Sequence, residues 1–451
     1  MRPPDHILME YCRGIAAARG DLMMCSLQDL FYQEKKAFSY GEVRRAWARV
    51  LADLSAPAQK RLQLYVHIPF CRRRCAYCMY QSDVLRDAAQ LEESLGYLSS
   101  CFDYFSGTFA GREFQELYIG GGTPSILEER HLKTLLKRLQ DRFCLASRAR
   151  FTFEMKPADV TPGKARMLKA FGCNRVSLGV QTFNPRLLRA VNRTDQTQAT
   201  VKRAIACLTR AGIEDVNCDL LLGLLGDTPD SLLAGVRKLL DMEPTTVILY
   251  YMQTQAQVRY FDAMASGDFA PFVASLEQAA APDLRRLAES RGYRLERNAY
   301  AYCLDRAPRT VGTDPLRKVE LGFGKYSNSS LNGSMEYQNR VKNFVFGDQD
   351  RPFAGTVYSL NDRIARFALN GYCALGHIPL SRIEAEFGVR GESYYRGSLR
   401  LLEKAGHIRR EEGRVFLLAE DKRGLIADML FLLDYGRLTA VRNFRKPDKL
   451  L

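Results

Sequence analysis

Three cysteines, Cys71, Cys75 and Cys78, stand close together in the segment CRRRCAYC, directly after an apolar run that reads as a strand. Iron–sulfur clusters are ordinarily held by four cysteine thiolates. A loop of this spacing supplies three, and leaves one iron of a four-iron, four-sulfur (4Fe-4S) cluster open to a bidentate small molecule. The amine and carboxylate of S-adenosylmethionine (SAM) suit that position. A zinc site would want a fourth Cys or His. The next residues, Met79 and Tyr80, are neither, and His67 lies too near along its strand to swing back. Accidental thiols are the remaining alternative. Arg72, Arg73 and Arg74 within the loop would favour a net-negative thiolate cluster and help an electron donor to dock.

A second group lies in ELYIGGGTPS, where Gly120, Gly121, Gly122, Thr123 and Pro124 follow an apolar run. Consecutive glycines let a backbone approach a ligand closely, and free N–H groups before a helix starting near Leu127 would suit the amine or carboxylate of SAM. Such turns also merely connect strands. Further on, Glu154, Gln181 and Asp219 are polar side chains in or at the ends of apolar strands, with Arg193 in the region after Gln181. Singly, each is as well read as a surface or capping residue. Together at one barrel mouth they suit a ribose hydroxyl or a carboxylate.

The elements that must bring these residues together have the rhythm of βα units. Strands are expected at 62–70, 116–123, 150–157, 174–182, 215–224 and 246–253. Helices over 128–143, 163–171, 196–211 and 230–242 make the connections crossovers and the sheet parallel. The expected fold is α/β, a partial (β/α)6 barrel over residues 61–255, with its motifs at the C-terminal strand ends. Residues 1–60 read as a helical N-terminal extension. From 256 to 360 the alternation stops, and an irregular stretch through LGFGKYSNSSLNG reads as a substrate-side lid. Residues 361–451 read as helix, turn, helix, helix and short hairpin, a winged-helix-like outline better suited to covering or protein contact than to DNA.

Composition narrows the classes. The chain has 451 residues, 46% hydrophobic and 26% charged, with no repeat or low-complexity tract. No window approaches the ~18 apolar residues of a membrane span, the N-terminus lacks a secretory apolar core, and a cytoplasmic location is expected. Twelve cysteines, most of them single and inside apolar stretches such as those of Cys101, Cys144, Cys173 and Cys207, suit reduced, buried thiols. The net charge of +15 is spread along the chain and suits an anionic substrate as well as a nucleic acid. Without an aromatic-interleaved basic patch, nucleic acid is not the expected partner.

The segments YVHIPFCRRRCAYCMY, ELYIGGGTPS, SLGVQTFN, AVNR and CDLLLGL closely resemble the HemN-type radical SAM family, which includes oxygen-independent coproporphyrinogen III oxidase. The match is strong over 62–255 and looser through LSRIEAEFGV and LEKAGHI. The resemblance implies that Cys71, Cys75 and Cys78 bind the cluster, and that Tyr65, Gly121, Gly122, Thr123, Glu154, Gln181, Arg193, Asp219 and Leu221 line sites for one SAM molecule or two. It also implies a small-molecule substrate and a reductant such as flavodoxin or ferredoxin.

The oxidase carries a further cysteine where this chain has Tyr80, which puts coproporphyrinogen decarboxylation in doubt and looks more like the branch of HemW-type haem chaperones and class C radical SAM methyltransferases. The expectation is a methyltransferase or cyclopropanase in which a second SAM modifies an sp2 carbon. The alternatives are a HemW-like haem chaperone or tetrapyrrole enzyme, and an iron–sulfur protein that binds nucleic acid or modifies RNA. Tyr250, Tyr251 and Tyr326 are candidates for contacts near the reacting carbon, though a Tyr in an apolar run is more often core.

Overall fold

The computed structural model describes residues 36–53, 62–252, 268–297, 301–306, 319–331, 334–339, 351–404 and 408–418, with single residues at 260, 262 and 264. Expectations for 1–35 and for the chain beyond 418 lie outside the described residues. The chain divides into two compact units, one of which is Lys35–Val357.

Six strands of that unit lie side by side in sequence order: β1 (Leu62–Ile68), β2 (Glu113–Gly121), β3 (Cys144–Met155), β4 (Arg175–Gln181), β5 (Asp215–Leu222) and β6 (Thr246–Tyr251). Every neighbouring pair is parallel. Parallel pairing requires crossovers. The helices Ala88–Ser106, Glu129–Arg142, Pro162–Ala170, Gln198–Arg210 and Pro229–Leu240 provide them. Local chemistry starts these helices where the strands end. Thr161, Thr197 and Thr228 each accept a hydrogen bond from an amide of the first turn, and Pro162 and Pro229 occupy first-turn positions that need no N–H. Two of the helices run into glycines of positive φ, Gly172 at 87° and Gly212 at 83°, which turn the chain back toward the sheet.

Side chains alternate across each strand. One row, including Phe151, Phe153, Val176, Leu178, Val180, Leu220 and Leu249, is buried and joins a single core cluster. Truncating a fully buried phenylalanine such as Phe153 costs ~3–5 kcal/mol. The opposite row carries Tyr118, Glu154, Ser177, Gln181 and Asp219. The core therefore holds a polar row steady on the other side of the same strands.

One expectation is corrected here. The segment read as an irregular lid is largely strand. Val319–Phe323 pairs in parallel with β1, and Asn328–Leu331, Met335–Asn339 and Phe353–Val357 continue the sheet antiparallel. Its glycines disguised it. Gly322 carries no side chain because a Cβ there would lie 2.1 Å from the Asn328 carbonyl oxygen, and Gly324, at φ 98°, would place one 2.4 Å from the His67 carbonyl. Beyond β6, Ala301–Asp305 and Arg294–Arg297 pair antiparallel, so the main sheet, thirteen strands among the described residues, continues on both sides of the six expected strands.

In the N-terminal region the helix Tyr40–Asp53 packs on this extension: the Trp47 indole N–H donates to Tyr337 Oη at 2.9 Å, and the Tyr40 and Phe353 rings meet edge to face at 4.9 Å.

The other unit, described from Tyr358, contains the helices Leu360–Leu375, Leu380–Phe387, Gly391–Tyr394 and Arg396–Lys404 and a small antiparallel sheet of Ile378–Pro379, Ile408–Glu411 and Arg414–Leu417. Ser359 and Asp362 form a reciprocal cap on its first helix. Among the described residues no helix is long and apolar enough to cross a membrane.

Candidate active site at the thiol loop and barrel mouth

β1 runs directly into the loop that carries the three thiols. Phe70–Cys71 pairs in parallel with Asp83–Val84, so the loop from Cys71 to Asp83 is closed by a two-strand clasp. A further bond holds its interior, from the Cys78 N–H to the Cys75 carbonyl at 3.1 Å. All three cysteines are free and partly exposed; Cys101, Cys173 and Cys207 are buried as expected, whereas Cys144, at the start of β3, is exposed. Burial pushes the Cys78 thiol up from its ordinary value.

Two residues singled out for SAM also reach the thiols. Cys71 Sγ lies 3.2 Å from Thr123 Oγ1, and Arg193 Nη1 donates toward Cys75 Sγ at 3.7 Å. The Arg193 guanidinium is buried and also donates to the Gly179 carbonyl oxygen and to Gln196 Oε1. Gln196, which the sequence reading missed, in turn donates to the Val180 and Thr182 carbonyls at 2.6 and 3.0 Å. Its one signal was its place three residues after Arg193.

Across the mouth, Glu154 accepts from the Tyr118 phenol at 2.6 Å and from the Gly121 N–H at 3.2 Å. Burial pushes its carboxyl up to about 7, against the lowering effect of those two bonds. Asp219 accepts from Ser177 Oγ at 2.6 Å and Asn217 Nδ2 at 2.7 Å, and its carboxyl too is raised by burial. Asp219 raises Glu154 in turn, so the acids stand within electrostatic reach of each other. Tyr118, Ser177 and Asn217 were not singled out from the sequence. Each lies two residues before, or one strand across from, a residue that was.

The glycine turn differs from expectation. The Gly121 N–H is engaged by Glu154 and the Gly122 N–H by the Ile68 carbonyl at 2.8 Å, so neither is free for SAM. The turn permits close approach of backbone to backbone: a Cβ on Gly122 would lie 2.7 Å from the Phe70 carbonyl oxygen. A short 3₁₀ turn, Pro124–Ile126, precedes the helix, which begins at Glu129.

Gln181 ends β4 at φ +71°, a conformation uncommon for a residue with a side chain, and its Oε1 is buried without a protein partner. Leu221 is half-buried on the Asp219 face of β5, in register with Tyr250 of β6. Tyr250 is 39% exposed at this end, whereas Tyr251 turns to the other face and donates to Glu277 at 2.7 Å. Tyr326, at φ +70°, donates to Asp83 at 3.3 Å. The polar strand ends and the thiol loop are thus joined by direct contacts, Thr123 to Cys71 and Arg193 to Cys75.

Residues 65–239 match the Radical SAM superfamily. The oxygen-independent coproporphyrinogen III oxidase of Salmonella typhimurium is 26% identical over 380 residues, covering 79% of this chain and 81% of that enzyme. The chain is similar to the HemN-type radical SAM proteins over most of its length. A heme chaperone HemW of Lactococcus lactis is 35% identical to this chain over 192 residues, 43% of this chain and 49% of the chaperone, so the chain matches about half the length of that relative. The structure of coproporphyrinogen III oxidase (HemN) from Escherichia coli superposes with a TM-score of 0.70 at 22% identity, over 92% of this chain and 99% of that one, and has the same fold.

A radical SAM enzyme uses a 4Fe-4S cluster and SAM, and the residues at this site are of a kind that fits both. Among the described residues no group of three ligands converges on a single ion. A cluster asks for a different arrangement, thiolates spread around a rim with one per iron. Buried Arg193 beside Cys75 offsets negative charge there. The unpartnered Gln181 Oε1 and Arg193 Nε are buried polar atoms of the kind that a ligand or water satisfies.

Proposed function

We propose that the protein cleaves SAM reductively and directs the resulting radical at a small molecule of the tetrapyrrole class. The observation that carries this is the length of the resemblance to coproporphyrinogen III oxidases, 380 residues and 79% of the chain, well beyond the superfamily segment at 65–239. The heme chaperones among the relatives point to the same class of molecule.

In this reading Cys71, Cys75 and Cys78 hold the cluster, and Tyr65, Gly121, Gly122, Thr123, Glu154, Gln181, Arg193, Asp219 and Leu221 surround SAM. When bound, the cluster supplies the electron that splits SAM into methionine and a 5′-deoxyadenosyl radical. The chain's own work is positional. Arg193 donates toward Cys75 Sγ and places a positive charge beside that cluster thiol. Glu154, with its proton affinity near neutrality, ionises against a cationic group and holds it. Exposed Arg72, Arg73 and Arg74 give an acidic reductant such as flavodoxin or ferredoxin a docking face beside the thiols.

A second reading, methyl transfer or cyclopropanation with a second SAM, is favoured by Tyr80. It is 68% exposed on the loop after Cys78, at the position where the oxidase resemblance expects a cysteine.

One anaerobic experiment separates the readings. The reconstituted, dithionite-reduced protein is given SAM deuterated in its methyl group, with coproporphyrinogen III, haem or an unsaturated acceptor. Formation of 5′-deoxyadenosine without deuterium, dependent on a tetrapyrrole, supports the first reading. Deuterium in 5′-deoxyadenosine supports the second. Haem binding without SAM cleavage indicates a chaperone and sinks both.

A further inference from the structure

Tyr65 and His67 are two residues apart on β1, so both side chains stand on the same side of the sheet. Tyr65 Oη lies 2.9 Å from His67 Nδ1, and His67 Nε2 lies 3.3 Å from the backbone carbonyl oxygen of Gln81. A carbonyl oxygen only accepts, so Nε2 carries the proton of a neutral ring. Burial holds the His67 pKa down to about 4, which keeps the ring neutral near pH 7 with a single N–H. Nδ1 is therefore bare, and the Tyr65 phenol must donate to it. Burial, and then the neighbouring Glu154, push the Tyr65 phenol up, so it keeps its proton.

The ring has little freedom to choose otherwise. A Cβ on Gly121 would meet its Cδ2 and Nε2 at 2.9 Å, and Tyr326 stands edge to face at 6.3 Å. Tyr65 is confined on the other side by Tyr118, ring to ring at 5.9 Å. With its one hydrogen committed to His67, the phenol oxygen offers only lone pairs to anything entering the mouth.

We infer that His67 is a positioning residue that makes Tyr65 an obligate hydrogen-bond acceptor, so that Tyr65 receives a donor group of bound SAM, an ammonium or a hydroxyl, and turns away a carboxylate. The inference rests on the SAM reading above. It also ties the mouth to the thiol loop, because the carbonyl that fixes the tautomer belongs to Gln81, three residues past Cys78.

Two substitutions give opposite answers. In His67→Asn, Oδ1 sits near the former Nδ1 and still accepts from Tyr65, but nothing reaches Gln81. In His67→Gln, the amide N–H sits near the former Nε2 and still donates to Gln81, while the acceptor for Tyr65 is lost. SAM dissociation constants of the cluster-loaded, unreduced proteins are measured by anaerobic equilibrium dialysis, with melting temperatures as a folding control. We expect affinity to fall about tenfold in His67→Gln and in Tyr65→Phe, with no further loss in the double variant, and to be largely kept in His67→Asn.

The reverse order, with Gln tolerated and Asn not, would mean that His67 merely holds the loop, and would overturn the inference. Nitrogen-15 NMR of the imidazoles decides the tautomer without any cofactor: protonated Nε2 with bare Nδ1 is expected at pH 7, and the opposite tautomer overturns the inference. Wild-type protein that binds no SAM yet shows the expected tautomer would refute the SAM reading and the ligand assignment built on it, leaving the Tyr65–His67 geometry standing.

Discussion

The Tyr118 phenol donates to the Glu154 carboxylate at 2.6 Å, from one parallel strand to the next. Neither residue is at the surface of the core; both belong to the polar row that the core holds in register. That bond and the Gly121 N–H stabilise the ionised carboxylate, yet burial prevails and the pKa stands at about 7 against an ordinary 4.5.

This shift sets a pH dependence. Because the folded form binds the Glu154 proton more tightly than the unfolded chain, its contribution to stability is full below about pH 4.5 and is lost as pH rises through about 7. Melting temperatures of Glu154→Gln should lack this part of the slope between those values. Tyr118→Phe, which removes a bond to the charged form, should move the window upward. An unchanged slope in Glu154→Gln would count against the assignment.

Arg193→Met should lower both stability and iron content. The Gly179 carbonyl loses its guanidinium partner, at ~1–3 kcal/mol for a buried group left unpaired, and Cys75 loses the adjacent positive charge. Lysine should not rescue it, since an ammonium cannot span Cys75, Gly179 and Gln196 at once. Melting curves and iron analysis after reconstitution measure the two effects separately.

Serine at Cys71, Cys75 or Cys78 should abolish retention of the cluster, seen as loss of its visible absorption and of bound iron. Serine at Cys144, which is free and exposed, should leave both unchanged. Equal loss in Cys144→Ser would show that the three-thiol loop is not the site.

Two glycine substitutions should differ in sign. Gly121→Ala places a Cβ 2.7 Å from the Ile68 carbonyl oxygen at φ +118°, and should destabilise the protein by more than ~1 kcal/mol while displacing His67. Gly96→Ala, within the helix Ala88–Ser106 and with nothing within 4 Å, should stabilise by ~0.5–1 kcal/mol. Chemical denaturation measures both.

Nucleic-acid binding should be absent at moderate salt. In the C-terminal unit several arginines already have partners: Arg409 with Glu411, Arg410 with Glu403, Arg390 with Glu384, and Arg363 over Phe387. Retention of RNA or DNA that falls steeply with added salt would contradict this.

The sequence by itself determined the thiol loop and the order of the six βα strands. These are local: cysteine spacing, an apolar run of one period, a threonine before a proline at a helix start. It was also enough to pick out Glu154 and Asp219, because a carboxylate in an apolar strand is conspicuous. Tertiary structure alone decided what those side chains touch. Val319–Phe323 became a parallel neighbour of β1 through a pairing across more than 250 positions of sequence, and its glycines read as loop until the backbone packed against them is seen. Arg193 was singled out for SAM and is found against Cys75, and Tyr118 and Gln196, not singled out at all, complete the hydrogen bonds of residues that were. Register between strands fixes such partnerships, and register is set by the packing of the whole sheet, which no short stretch of sequence carries.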